Sequence, residues 1–128
     1  MLEVACALIV NEGRVLCAQR SAKMRHPLSW EFPGGKLEAG ESVAECIVRE
    51  IKEELNLEIE VVSEGPTVFY EYQAGEKLAL IPLVCHLKSG EILLKEHAQI
   101  KWLLADELSS LNWAAADRKI VAWWRSLA

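Results

Sequence analysis

The sequence predicts an α/β fold, in which helices pack as a sandwich over a central mixed β-sheet. Two observations support this prediction. Runs of β-prone residues stand on both sides of one internal helix, and a second helical segment closes the chain. Glycine and proline separate the β-prone runs, as is typical of turns between strands. At 128 residues the chain has the length of one domain, and we assign residues 1–128 to a single domain.

The predicted strands are arranged around the internal helix. Residues 3–10 and 15–20 form the first pair, and Gly13 between them predicts a hairpin turn. A polar loop over residues 21–29 follows. Beyond the helix, strands are predicted at residues 57–62, 67–72, 78–87 and 100–103. A last helix is predicted over residues 117–127, and most of the tryptophans are expected to pack rather than to bind a ligand: Trp102, Trp113, Trp123 and Trp124.

The internal helix has start and stop signals. Ser42 and Glu45 form an S-x-x-E capping box, which predicts that the helix begins at Val43. Asn56 tolerates a left-handed backbone and ends the helix after Leu55. Apolar residues recur at helical spacing and predict the buried face: Ala44, Ile47, Val48, Ile51 and Leu55.

Three carboxylates share one arc of this helix. Glu50, Glu53 and Glu54 are three or four residues apart, so they are neighbours on the helix surface beside the apolar stripe. We expect them to be half buried with few bases nearby. A hard divalent cation held by oxygen ligands would offset their repulsion, which indicates a magnesium site. The spacing alone also fits a solvated acidic face on which Arg49 makes weak surface pairs with Glu45 or Glu53.

The residues before the helix favour the magnesium interpretation. Phe32 and Pro33 lead into Gly34 and Gly35, and two adjacent glycines let the backbone approach a ligand or a metal closely. The sequence therefore predicts a glycine-rich loop that leads into a helix with clustered carboxylates.

Composition argues against several partners. The net charge is −5 and no basic run is interleaved with aromatics, so we expect no nucleic-acid polymer as a partner. No apolar run approaches ~18 residues and no signal-peptide pattern is present, so we expect a cytoplasmic protein without membrane attachment. The oligomeric state is not determined, with a monomer favoured. Four separated cysteines are predicted to be reduced core thiols: Cys6, Cys17, Cys46 and Cys85.

Residues 35–57 resemble the Nudix box, G-x5-E-x7-R-E-U-x-E-E-x-G-U. The matching positions are Gly35, Glu41, Arg49, Glu50, Ile51, Glu53, Glu54 and Leu57. One position departs, since Asn56 stands where the family usually has glycine, and asparagine is the other residue that best tolerates a positive φ. In length and element order the chain resembles the MutT-type nucleoside triphosphate pyrophosphohydrolases, close to the branch that acts on CTP, 5-methyl-dCTP and 8-oxo-dGTP.

The resemblance implies a Nudix-type α/β/α sandwich and a Mg²⁺ cofactor, with Mn²⁺ as a substitute. It also implies that Glu50, Glu53, Glu54 and the backbone carbonyl of Gly34 hold the metal, with Glu54 the most dependable ligand. Glu41 and Arg49 match the orienting pair of the family. The alternative for Arg49 is a surface pair with Glu45.

Further site residues lie outside the box. Glu96 matches a loop carboxylate of MutT-type enzymes that is either an extra metal ligand or the base that activates water, unless it is merely solvated. His97 could serve the same end, although we favour a surface role. Arg20 matches an arginine that meets the nucleotide, and Phe32 and Trp30 flank the pocket entrance. Arg20 could otherwise be an exposed strand end, and for Trp30 a core position is the better interpretation.

Asp117 has two interpretations. Helix N-capping alone explains an aspartate at the start of the last helix. In MutT-type proteins, which this chain resembles, the matching position contacts the nucleobase. The branch that acts on CTP and 5-substituted deoxycytidine triphosphates is similar to this chain in having aspartate there. An ionised carboxylate only accepts hydrogen bonds, so it suits the N4 amino group of cytosine, although N1 and N2 of guanine also donate.

The prediction is an enzyme with a small-molecule nucleotide substrate. We expect Mg²⁺-dependent hydrolysis of nucleoside triphosphates to a nucleoside monophosphate and pyrophosphate, on cytosine-type or oxidised nucleotides. One alternative is another nucleoside diphosphate-linked substrate, such as ADP-ribose or a diadenosine polyphosphate; the branch markers for these are absent, although Tyr72 lies close to one of them. The other alternative is a non-catalytic nucleotide-binding module, which the complete set of box glutamates disfavours.

Overall fold

The computed structural model describes residues 1–127. Within that range, strands lie on both sides of an internal helix and a second helix follows them, as the sequence predicts. The strands and α-helices are, in order, β1 (Leu2–Asn11), β2 (Arg14–Gln19), β3 (Trp30–Glu31), β4 (Gly34–Lys36), α1 (Val43–Leu55), β5 (Leu57–Glu64), β6 (Val68–Gln73), β7 (Glu76–Gly90), β8 (Gln99–Leu103) and α2 (Ala115–Ser126). A 3₁₀ helix, Ala105–Ser110, lies between β8 and α2.

The strands form one mixed sheet. Strand β1 runs parallel to β7 and antiparallel to β2 and β4. The main strand order is β3-β2-β1-β7-β5, and β8 pairs with β2. Strand β7 is long enough to pair with β6 along its first part and with β5 along its last part. The predicted mixed sheet is therefore confirmed.

Helices cover both faces of this sheet. Because successive side chains of a strand point to opposite faces, Ala7 and Ile9 of β1 pack in the cluster that contains α1, whereas Leu8 packs in the cluster that contains α2. Ile51 of α1 and Ile120 of α2 are fully buried, and each such side chain contributes about 1.5–3 kcal/mol of hydrophobic stabilisation. The α/β/α sandwich is confirmed.

The ends of α1 match the prediction. Ser42 Oγ accepts a hydrogen bond from the Glu45 amide at 3.1 Å, and Glu45 Oε1 accepts one from the Ser42 amide at 2.9 Å. Asn56 adopts the left-handed conformation with φ of 60°, and its side chain donates to the carbonyl of Glu91. The reciprocal cap and the left-handed stop therefore hold the box helix in place.

The start of α2 differs from the prediction. The helix begins at Ala115 and its N-cap is Ala114, so the interpretation of Asp117 as the helix cap is wrong. The reason is tertiary. The Ala114 amide donates to the carbonyl of Trp30 and the Trp30 amide donates to the carbonyl of Asn112, so that β3 fixes the chain just before the helix.

Other differences are small. Strands β3 and β4 were not predicted, because strands of two or three residues carry no periodic pattern of their own and exist only through pairing. All four cysteines are buried and free, as predicted. Trp30 and Trp113 are buried, Trp123 and Trp124 pack against the same cluster, and Trp102 packs against the cluster that contains α1, which confirms the packing role of these tryptophans. No helix within residues 1–127 combines the length and apolar character needed to cross a bilayer.

Candidate active site

A cleft of about 880 Å³ collects residues that are distant in the sequence. Its walls include Arg20 from the end of β2, Glu54 from α1, Glu96 from the loop after β7 and Asp117 from α2. Phe32 and Gly34 line it as well. The structure therefore gathers the predicted substrate residues and part of the predicted metal set around one cleft.

Two glycines allow the close packing of β4. A Cβ atom on Gly34 would lie 1.9 Å from the carbonyl oxygen of Ala5, and a Cβ atom on Gly35 would lie 2.3 Å from the carboxyl carbon of Glu50. Only glycine permits either approach. The Glu50 carboxylate thus lies directly against the backbone of β4, which is a strand paired with β1 where the sequence predicted a glycine-rich loop.

Arg49 is the cation among the box carboxylates. Its Nε and Nη2 atoms bind the two oxygens of Glu41 at 2.6 and 3.0 Å, and its Nη1 lies 3.0 Å from Glu50 and 3.2 Å from Glu53. The Arg49 hydrogen bonds lower the pKa of Glu41 to about 2. The expected Glu41–Arg49 contact is present. The alternative pair with Glu45 is absent from the ion pairs of residues 1–127, because Glu45 belongs to the capping box.

The three carboxylates of the arc differ in exposure. The Glu50 side chain is 18% exposed and that of Glu53 is 60% exposed, whereas Glu54 is only 6% exposed. The expectation that all three are half buried with few bases nearby is therefore wrong for Glu53, which is exposed and paired. Glu50 is half buried but is also paired with Arg49.

Glu54 is the carboxylate that lacks compensation. Its Oε2 atom is buried and has no hydrogen-bond partner among residues 1–127. Burial raises the pKa of the Glu54 carboxyl well above its usual range, and the charges of three carboxylates act in the same direction: Glu50, Glu96 and Glu31. A buried, unpartnered oxygen among other carboxylates is a suitable donor for a hard divalent cation.

The remaining donors are not yet gathered around Glu54. Within residues 1–127, no three His, Cys, Asp or Glu side chains stand together in a geometry that would hold one metal ion. Arg49 is bound to the carboxylates of Glu50 and Glu53. Glu96 is exposed at the cleft, and its charge acts on Glu54.

A network of polar side chains that the sequence did not predict runs from the cleft wall, at Arg20 and Glu31, to the buried His97. Arg20 Nη1 is 2.5 Å from Glu31 Oε1, and His97 Nε2 is 2.9 Å from Glu31 Oε2. The His97 side chain has 0% exposure, so the predicted surface role is wrong. The Arg20 side chain is 22% exposed, so it is not an exposed strand end. One feature of the sequence could have identified Glu31 as a site residue. It lies between two aromatics, Trp30 and Phe32, shortly before the two adjacent glycines.

Asp117 is buried at the cleft and bound to the backbone between β3 and β4. Its Oδ2 accepts a hydrogen bond from the Phe32 amide at 2.9 Å. Burial raises the pKa of Asp117 to about 8, and the charge of Glu31 adds to this shift. The Phe32 amide and Arg20 oppose it. At this pKa the carboxyl group can donate a hydrogen bond as well as accept one at neutral pH, whereas the sequence interpretation treated Asp117 as an acceptor only.

Phe32 belongs to both the core and the cleft wall. It is 3% exposed, and its ring centroid lies 4.8 Å from that of Trp113 at an interplanar angle of 35°. This aromatic pair closes the side of the cleft next to Asp117, whereas Trp30 is a buried core residue.

Comparison with known proteins agrees with this geometry. The sequence model of the NUDIX domain matches residues 1–124. The chain belongs to the Nudix family. It is therefore a Nudix hydrolase, and hydrolases of this family generally use divalent metal ions. The resemblance found in the Nudix box is confirmed.

The relatives of this Nudix hydrolase are nucleotide hydrolases by name. CTP pyrophosphohydrolase of Escherichia coli K12 is 33% identical over 124 residues, covering 91% of this chain and 86% of the relative. A Mycobacterium tuberculosis protein provisionally named 8-oxo-dGTP diphosphatase 2 is 34% identical over 119 residues, covering 93% and 84%. The solution structure of the E. coli ORF135 protein is 32% identical, with a TM-score of 0.85 and coverage of 99% of this chain and 90% of that chain.

Proposed function

We propose that this Nudix hydrolase is a magnesium-dependent nucleoside triphosphate pyrophosphohydrolase. Water attacks a phosphorus atom of the triphosphate, and the products are a nucleoside monophosphate and pyrophosphate. The observation that carries the proposal is the buried Glu54 carboxyl with its unpartnered Oε2, on the wall of the cleft. The similarity to CTP pyrophosphohydrolase supports the same reaction.

The metal donors of the proposal are oxygen atoms of the box and its neighbours. Glu50, Glu53, Glu54 and the Gly34 carbonyl would hold the metal, with Glu96 as a further ligand or as the base. Bound Mg²⁺, or Mn²⁺ in its place, supplies neutralisation of phosphate charge and lowers the pKa of a bound water. Carboxylates and backbone carbonyls are the ligands that such hard cations prefer.

Two pairs of residues have separate tasks in this proposal. Arg49 and Glu41 orient the helix carboxylates, because the guanidinium contacts Glu41 with two hydrogen bonds and reaches Glu50 and Glu53 with its remaining edge. Arg20 and Phe32 bind the nucleotide, since both line the cleft. Glu96 accepts a proton from the attacking water when it acts as the base.

The base contact of the proposal rests on Asp117. A carboxyl group with a pKa of about 8 offers one O–H donor and one acceptor at neutral pH. Cytosine presents its N4 amino donor next to the N3 acceptor, and guanine presents N1–H next to O6, so this group suits the edge of either base. We favour a cytosine nucleotide because the similarity to CTP pyrophosphohydrolase supports it. An oxidised guanine nucleotide is the second candidate, supported by the name of the M. tuberculosis relative.

A nucleotide screen tests the proposal. The purified protein is mixed with Mg²⁺ and, in turn, CTP, 5-methyl-dCTP, dGTP, 8-oxo-dGTP and ADP-ribose, and released pyrophosphate is measured against released phosphate. We expect pyrophosphate and a monophosphate from the cytosine nucleotides, and no turnover when the metal is chelated. Release of phosphate alone, or turnover of ADP-ribose above that of all triphosphates, would contradict the proposal. Glu54→Gln protein from the same preparation controls for contaminating hydrolases.

Two broader points belong to the same proposal. Residues 1–128 act as one domain, because the cleft draws on elements from β2 to α2. We also propose that the enzyme is monomeric and cytoplasmic, as suits an enzyme that acts on a small nucleotide. Size-exclusion chromatography with light scattering measures the oligomeric state.

A further inference from the structure

The loop that carries Glu96 is attached to two different elements. On one side of Glu96, the Lys95 amide donates to the carbonyl of Glu54 in α1 at 3.4 Å. On the other side, the Ala98 amide donates to the carbonyl of Gln19 in β2 at 2.9 Å. These bonds hold the backbone at both ends of the segment, but neither fixes the peptide units of residues 96 and 97 themselves.

His97 supplies the missing attachment through its side chain. The ring is fully buried and its Nε2 lies 2.9 Å from Glu31 Oε2, while Arg20 binds the other oxygen of Glu31. The second ring nitrogen, Nδ1, is buried and has no hydrogen-bond partner in the part of the chain that the structure describes. A buried nitrogen without a partner is unfavourable, so packing alone is a poor reason for histidine at this position. An apolar side chain would fill the space without that cost.

We propose that His97 is a positioning residue that holds Glu96 at the cleft beside Glu54. The inference rests on the proposed function, in which Glu96 acts on the metal or on the attacking water. Residues 96 and 97 are joined by one peptide bond, so a ring fixed on Glu31 restricts where the neighbouring carboxylate can lie. The same contact joins the Glu96 loop to Arg20, which belongs to the substrate side of the cleft.

The first test separates positioning from packing. His97→Leu keeps the volume and removes the donor, whereas His97→Gln keeps an amide N–H that reaches about as far as Nε2. We expect His97→Leu to lower kcat ~10–100-fold with KM changed less than ~3-fold, because a displacement of about 1 Å at the reacting groups has this effect. His97→Gln should restore kcat to within ~3-fold of the parent. His86→Gln, on an exposed residue outside the cleft, is the matched control and should leave kcat unchanged.

The second test asks whether His97 acts through Glu96. Glu96→Gln alone should lower kcat with little effect on KM and should shift the acid limb of the pH profile. If His97 acts by placing Glu96, adding His97→Leu to Glu96→Gln should lower kcat by no more than ~2-fold further. The unfolding midpoint of each variant is measured in parallel. If His97→Leu does not fold, His97→Asn replaces it, since its shorter amide does not reach Glu31.

The outcomes are distinct. A parent protein that releases no pyrophosphate from any nucleotide overturns the proposed function, and the inference with it. An active parent whose kcat is unchanged in His97→Leu or His97→Asn overturns the inference alone. Three other results would also overturn the inference alone. One is an equal loss of kcat in His97→Leu and His97→Gln. The others are an unchanged kcat in Glu96→Gln, and a double variant in which His97→Leu lowers kcat as much as it does in the parent. A kcat loss that Gln rescues and that disappears in the Glu96→Gln background supports it.

Discussion

The backbone amide of Phe32 donates a 2.9 Å hydrogen bond to the carboxyl group of Asp117, 85 residues further along the chain. This bond joins the segment between β3 and β4 to the first turn of α2. It places Asp117 under the aromatic wall of the cleft instead of at the helix cap. Replacements of Asp117 therefore test the cleft and the packing of α2 on the sheet together.

Asp117→Asn should change how stability depends on pH. The folded-state pKa of Asp117 is about 8, above its ordinary value of 3.8, so the native state binds one proton more than the unfolded state between these values. The parent's stability should therefore fall as pH rises through this window, by at most about 2.7 kcal/mol between pH 5 and 7 from this group. Urea unfolding at several pH values measures the slope, which Asp117→Asn should reduce. Parallel curves for the two proteins would contradict the raised pKa.

The same replacement should alter substrate ranking. In this variant the amide oxygen keeps the bond from the Phe32 amide and leaves only the NH₂ group for the base. The preference between cytosine and guanine nucleotides should therefore change by ~1–3 kcal/mol in kcat/KM. Asp117→Ala should also lose the bond from the Phe32 amide and be less stable. Paired kcat/KM values for CTP and dGTP provide the measurement. An Asn variant with the parent's ranking would mean that Asp117 only ties α2 to the sheet.

Glu54→Gln should separate activity from stability. We expect kcat to fall at least ~10²-fold, about 2.7 kcal/mol of transition-state stabilisation, because a metal donor is lost. The metal-free protein should be more stable by on the order of 1 kcal/mol, since a buried carboxyl repelled by its neighbours becomes a neutral amide. Saturation kinetics with Mg²⁺ and thermal unfolding in chelator measure the two effects. Glu53→Gln is the companion variant: it should also lower kcat at least ~10²-fold, but without the gain in stability, because Glu53 is exposed and paired with Arg49. Near-normal turnover in either variant would refute the metal site.

Gly35→Ala should weaken metal binding. Its new Cβ would stand 2.3 Å from the Glu50 carboxyl carbon, so Glu50 must move. We expect the Mg²⁺ concentration for half-maximal activity to rise ~10-fold or more, in line with disturbed support of a metal ligand. Gly65→Ala is the matched control, because its Cβ would meet the Trp123 ring at 2.6 Å, away from the box. That variant should lose stability while keeping the parent's Mg²⁺ dependence; equal Mg²⁺ dependence in both variants would argue against the role of Glu50.

The sequence alone determined the features that depend on near neighbours. The bounds of α1, its capping box and the left-handed Asn56 were predicted correctly, because hydrogen bonds between residues three or four apart decide them. The mixed sheet followed from β-prone runs on both sides of one internal helix, and the burial of the cysteines followed from their wide separation without a C-x-x-C pair. The Nudix box was recognisable for the same reason, since its residues lie on one turn and one helix.

Tertiary structure decided which charged side chains have an ion-pair or hydrogen-bond partner. Arg49 pairs with Glu50 and Glu53 but leaves Glu54 without a partner, although the three carboxylates look alike in the helical pattern. Glu31 meets His97 from 66 residues away, and Phe32 meets Asp117 from 85. Such contacts depend on sheet register and on where α2 docks. A single sequence does not encode them locally, because burial and pairing of a charge arise only when distant strands and helices come together.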